Sequence, residues 1–124
     1  MSTKHTYIPT RSRSRHKYGA KPTIVDGIRF ASKLESERYL YLKALERAGT
    51  IRDLVLQPRH KIHVNGELIC TYVGDFEYDK ELKDGEWIHI LEDVKGVETP
   101  EFKLKKKLMK AVHGVEINIV KKAR

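Results

Sequence analysis

The sequence predicts an α/β (α+β) fold: one mixed sheet flanked by helices, in the order helix, three antiparallel strands, helix, strand. Three observations carry this. Two apolar, helix-periodic stretches open on capping sequences, Ser32-Lys33-Leu34-Glu35 and Thr99-Pro100-Glu101. Strand-like runs lie between them, punctuated by the turn pairs Asn65-Gly66 and Asp84-Gly85. A last alternating stretch, Val115 to Val120, follows the second helix, and a strand reached by a helical crossover runs parallel to a strand of the same sheet.

At 124 residues the chain is one domain with one modest core. No apolar run approaches the ~20 residues of a membrane span, and no apolar stretch near Met1 reads as a secretory leader. Cys70 is the only cysteine, which excludes an internal disulfide and a cysteine zinc cluster and fits a reducing cytoplasm. The six histidines show no metal-ligand spacing and read as scattered. The net charge of +8 is unevenly placed. Residues 1–22 and 100–124 are basic, while the middle holds eleven bases against fifteen acids. Basic ends point to a polyanion, most simply nucleic acid. An acidic centre is superfluous for a purely electrostatic binder, but a metal-dependent enzyme needs carboxylates.

Residues 1–22 read as a flexible basic arm. Arg11, Arg13 and Arg15 alternate with Thr10, Ser12 and Ser14, either as a solubilising tail or as phosphate contacts. The rest, 23–124, reads as a single domain ending in the basic tail Lys121-Lys122-Ala123-Arg124. Asp26-Gly27 turns a small hairpin. The first helix runs from Ser32 to about Ala48, stopped by Gly49, with Leu34, Tyr41, Leu42, Leu45 and Ala48 as its buried stripe. Arg38 sits inside that stripe and must either snorkel to its edge or reach a carboxylate. Ile51 to Leu56 is a strand ended by Gln57-Pro58. The hairpin strand from Leu68 is expected to continue through Gly74-Asp75 to Tyr78, and Trp87 to Lys95 is the third long strand. The second helix spans Thr99 to about His113, with Phe102, Leu104, Leu108, Met109, Ala111 and Val112 inward and Lys103, Lys106, Lys107 and Lys110 outward. Lys105 projects into the apolar arc.

The candidate site is the strand end Ile90-Leu91-Glu92-Asp93-Val94-Lys95-Gly96. Alternation puts Asp93 and Lys95 on one face and Glu92 and Val94 on the other. A buried acid and ammonium are costly unless paired or used. Turn chemistry bears on the partner. A two-residue Asp84-Gly85 loop sets Asp75 opposite Val94. A three-residue Lys83-Asp84-Gly85 loop, with Gly85 left-handed, sets Asp75 opposite Asp93. Two carboxylates so opposed, with Cβ atoms about 4.5–5.5 Å apart, repel unless a cation lies between them. The turn permits this register without compelling it.

Asp75, then a hairpin, then Asp93-Val94-Lys95, on this order of elements, resembles the PD-(D/E)XK nuclease superfamily. More narrowly, Lys17-Tyr18-Gly19, Asp26-Gly27-Ile28, Phe30, Ser32-Lys33-Leu34-Glu35, Leu56-Gln57-Pro58, Gly74-Asp75-Phe76 and Asp93-Val94-Lys95-Gly96 resemble a phage family of unknown function, placed near Holliday junction resolvases and TnsA-like transposon-end nucleases. Gly74 stands where the superfamily's name has a proline. The resemblance implies a metal-dependent DNA endonuclease of phage replication or recombination, selective for branched or junction DNA. Asp75, Asp93, the carbonyl of Val94 and Glu35 would hold Mg²⁺, for which Mn²⁺ would substitute, and Lys95 would serve the attacking water. It also implies a homodimer, recombination or replication proteins as partners, no membrane, and the host cytoplasm as location. Arg38, Gln57 and Lys105 are further candidates for DNA contact, each with a structural alternative: a strand-end hydrogen bond for Gln57, snorkelling for the other two. Helical geometry leaves both Glu35 and Glu37 at the borders of the stripe, and the resemblance selects Glu35. Two other readings stand beside the enzyme: a non-catalytic nucleic-acid-binding protein, and a nuclease-fold subunit of a recombination or transposition complex.

Overall fold

The computed structural model describes residues 21–124. The expected arm, with Arg11, Arg13 and Arg15, therefore lies outside the described residues apart from its last two. The chain opens with a hairpin, β1 (Thr23–Val25) and β2 (Ile28–Phe30), whose turn residues Asp26 and Gly27 both have positive φ. Helix α1 (Lys33–Ala48) begins where the Ser32 hydroxyl accepts the Glu35 N–H at 3.1 Å, and ends on left-handed Gly49.

The sheet is mixed. Strands β3 (Ile51–Leu56), β6 (Phe76–Glu81), β7 (Trp87–Val94) and β8 (Ile117–Val120) lie in the order β3-β6-β7-β8. The first three are antiparallel, and β8, delivered by helix α2 (Pro100–Leu108), runs parallel to β7. The expected continuous strand from Leu68 to Tyr78 is broken. Strands β4 (Arg59–Val64) and β5 (Glu67–Val73) form a ribbon of their own, and β6 starts after Gly74-Asp75. The break is a change of partner. Before it the strand pairs with β4 and after it with β3, because Gln57-Pro58 separates those two. At the join, Gly74 N–H bonds Pro58 O and Gln57 N–H bonds Asp75 O, both at 3.0 Å.

Apolar residues fill both faces of this sheet. Phe76 and Tyr78 pack with Phe30, Tyr39, Leu42 and Ile51 beneath α1. Leu91 and Ile117 pack with Ile62, Tyr72, Phe102 and Met109 between the β4–β5 ribbon and α2. Two helix stripes differ from expectation. On α1 Leu42 is buried and Tyr41 and Leu45 pack against the core as expected, but Glu35, Ser36 and Tyr39 are buried as well and Ala48 is exposed. The β1–β2 hairpin draws that face over: Tyr39 packs on Phe30 at 5.0 Å between ring centroids and its hydroxyl donates to Asp26 at 2.9 Å. On α2 only Phe102 and Met109 are buried, and Leu104, Ala111 and Val112 face solvent. The helix passes into a π-helical turn at Met109–His113, and the wider turn rotates Ala111 and Val112 away from the sheet. Among the described residues no helix is long and apolar enough to cross a membrane.

Candidate functional site

The register between β6 and β7 decides the geometry. Phe76 pairs with Glu92, Glu77 with Leu91, and Glu81 with Trp87. Leu82 N–H then bonds Glu86 O at 2.7 Å, so Lys83-Asp84-Gly85 is a three-residue loop with Gly85 at φ 87°. Counted one residue beyond Phe76, this register sets Asp75 against Asp93. There the chain leaves the ladder: Asp75 N–H bonds Glu92 O at 3.0 Å, and the Asp75 carboxylate accepts the Val94 N–H at 2.7 Å.

Both aspartates are buried, Asp75 at 7% and Asp93 at 4% exposure. One Asp93 oxygen accepts the Tyr72 hydroxyl at 2.6 Å, and the other lies 3.3 Å from the Lys95 ammonium. Burial and the charge of Asp75 push the Asp93 carboxyl up to about 6, against the opposing pull of Tyr72 and Lys95. Burial beside Asp93 also raises the Tyr72 hydroxyl above its ordinary value. Lys95 rests over the Phe102 ring, 4.5 Å from its centroid. Asp93, Lys95, Tyr72, Phe102 and Lys105 line one open cleft of about 230 Å³. Here Lys105 reaches Thr71 O at 3.4 Å and Glu101 at 3.2 Å.

Asp75, Asp93, Val94 and Lys95 are thus brought together, with Lys105 on the same cleft. Glu35 is buried on α1, whereas Glu37 is exposed beside Lys33. Among the described residues no three His, Cys, Asp or Glu side chains form a metal-holding group, so Glu35 does not complete one with the two aspartates. Arg38 is placed elsewhere. Its guanidinium grips the Glu92 carboxylate with two N–H groups, gives a third to Ala123 O at 3.1 Å, and lies over the Tyr41 ring. The Tyr78 hydroxyl also donates to Glu92, which is 1% exposed. Burial acts to lower the Arg38 pKa, but Glu92 outweighs it and the net shift is upward. Arg38 is therefore an internal tie between α1, β7 and the C-terminal tail rather than an outward phosphate contact. Gln57, at φ 51°, acts through its backbone N–H on Asp75.

The close join also accounts for Gly74. A Cβ there would stand 3.0 Å from Leu91 and 3.3 Å from the Tyr72 ring, and a proline would lose the N–H that bonds Pro58.

Sequence reasoning missed Tyr72, because β5 and β7 belong to different sheets and no pairing rule links them. It also missed the role of Glu92, although an unexplained Arg38 in an apolar stripe was a signal that a buried acid faced it. Two of the histidines meet in space: His60 and His89 converge on Glu77, and His89 also meets Asp79 at 2.8 Å.

Residues 15–123 match the family described as "Protein of unknown function (DUF1064)". The chain belongs to that family. No curated protein and no solved structure matches it.

Proposed function

We propose that this member of the family is a divalent-metal-dependent DNA endonuclease built on a PD-(D/E)XK-type core. The observation that carries the proposal is the apposition of two buried aspartates at a strand end, with Lys95 on one of them and that one held at about 6. Two carboxylates left this close are an arrangement that a cation relieves. The donors suit Mg²⁺ in kind and number, since Mg²⁺ commonly takes one or two carboxylates and keeps several waters. Asp75, Asp93 and the Val94 carbonyl would hold it, with Mn²⁺ as a substitute. When bound, the ion supplies an acidified water and neutralises charge on the phosphorane.

The chain's own residues do the rest. Val94 N–H fixes the Asp75 carboxylate, and Tyr72 fixes one oxygen of Asp93. Lys95, part exposed and steadied on Phe102, offers its ammonium to the water or to a phosphate oxygen. Glu35 would join through a water or a shift of α1. Action on branched DNA, a homodimer and recombination partners extend the same reading.

A non-catalytic DNA-binding role is the second reading. It is favoured by the basic charge of residues 100–124, which binds a polyanion with no metal. Duplex, flap, single-strand and four-way junction DNAs, incubated with Mg²⁺, Mn²⁺ or chelator, separate the two. Metal-dependent cleavage of any of them supports the nuclease; binding without cleavage of all of them removes it.

A further inference from the structure

Helix α2 separates two clefts. One holds Asp93 and Lys95. The other, about 360 Å³, is lined by Lys103, Lys106, Lys107 and Lys110, with Glu98, Glu116 and one apolar residue. Lys110 pairs with Glu116 at 3.1 Å. Among the described residues Lys103, Lys106 and Lys107 make no ion pair, whereas Lys95, Lys105 and Lys110 each do. A solvated lysine face ordinarily interleaves acids at three- and four-residue spacing. Here 103–106, 103–107, 106–110 and 107–110 set ammonium beside ammonium, a repulsion that an anion relieves.

We infer that this lysine row is the docking surface for the phosphate backbone of duplex DNA. The choice of partner rests on the DNA-processing reading above. Lys103 and Lys110 are seven residues apart, roughly 10 Å along the helix axis. One strand of B-DNA presents a phosphate about every 3.4 Å of axis, so the row faces about three. Among the described residues the cleft's lining includes no aromatic ring on which an unstacked base could lie, which argues for a duplex over a single strand. Contacts of this kind position the duplex without reading its sequence, and the helix that carries them also lines the cleft of Asp93.

The test uses the full chain, in chelator so that no cleavage intervenes, with a fluorescent 20-bp duplex titrated over a salt series. K103Q/K106Q/K107Q is compared with K33Q/K80Q/K83Q, an equal charge change away from α2; circular dichroism verifies that both fold. The α2 variant is expected to lose roughly 2 to 3 from the slope of log affinity against log salt, and at least about tenfold in affinity. The control should lose far less. Equal losses in both variants, an unchanged slope in the α2 variant, or tighter binding of a single strand or an RNA duplex would overturn the inference. Because the readout is metal-free binding, the slope difference survives even if no DNA is ever cleaved, and its absence would leave a cleavage result intact.

Discussion

Glu92 and Asp93 are neighbours on β7 and nearly equal in burial, yet one is closed and the other open. Glu92 faces α1. It receives two N–H groups of Arg38 and the Tyr78 hydroxyl, so its charge is matched where it is made. Asp93 faces the cleft. Its compensation is one hydroxyl and a part-exposed ammonium at 3.3 Å, and a second carboxylate works against it. Burial alone therefore does not single out Asp93 as the candidate acid. What distinguishes Asp93 is a deficit of positive charge on a side that opens to solvent, while Glu92 has none.

The widest gap between the two should appear in catalysis. Asp93→Ala and Lys95→Ala are each expected to lower metal-dependent cleavage by about 10⁴-fold or more, a barrier change above roughly 5 kcal/mol, while keeping the fold and DNA binding. Near-normal cleavage by either protein, purified free of host nuclease, would sink the assignment. Arg38→Ala should do the reverse, costing on the order of 3–5 kcal/mol of stability by stranding the Glu92 charge. Urea unfolding measures this, and Arg38→Met with Glu92→Leu and Tyr78→Phe, which leaves no buried hydroxyl stranded, should recover most of the loss. Recovery failing would mean that the pair contributes more than mutual neutralisation.

Glu35 tests whether α1 reaches across to the open side. Glu35→Gln is expected to lower cleavage by roughly 100-fold and Glu37→Gln to leave it near wild type. A Glu35→Gln protein that loses only melting temperature would make the acid a helix-cap residue and leave the two aspartates as the whole metal site.

The smallest expected effect is the pH dependence of the metal-free protein. The folded Asp93 pKa, about 6, lies above the ordinary carboxylate value, so between roughly pH 4 and 6 the folded state holds more protons than the unfolded one. Stability contributed by this group is then greatest at low pH and falls as pH rises through about 6. Asp93→Asn should remove that decline and stabilise the chelated protein at pH 7, on the order of 1–3 kcal/mol, with little difference near pH 4. Mg²⁺ should raise the wild-type melting temperature at pH 7 and leave Asp93→Asn unmoved. An Asp93→Asn protein that melts below wild type at pH 7 would show that Lys95 and Tyr72 already satisfy the carboxylate.

Local chemistry in the sequence determined a good deal. Caps at Ser32 and Thr99, the stop at Gly49 and the turns at Asp26-Gly27 and Asn65-Gly66 are written in a few adjacent residues, and all stand in the structure; Asp84-Gly85 marked a turn, but only the structure set its loop at three residues. Alternation along β7 likewise separated Asp93 and Lys95 from Glu92, since a strand's side chains change face at every step. The π-helical turn escaped, because the apolar pattern of Leu108 to Val112 continues an ordinary helix. Tertiary structure alone drew Tyr39 into the buried face of α1, through the β1–β2 hairpin. It alone exchanged strand partners at Gly74-Asp75, gave Glu92 to Arg38 across 54 positions of chain, and brought Tyr72 to Asp93. These contacts join segments that share no local period and no common turn. Their energies depend on what lies opposite, and a sequence pattern records only what lies beside.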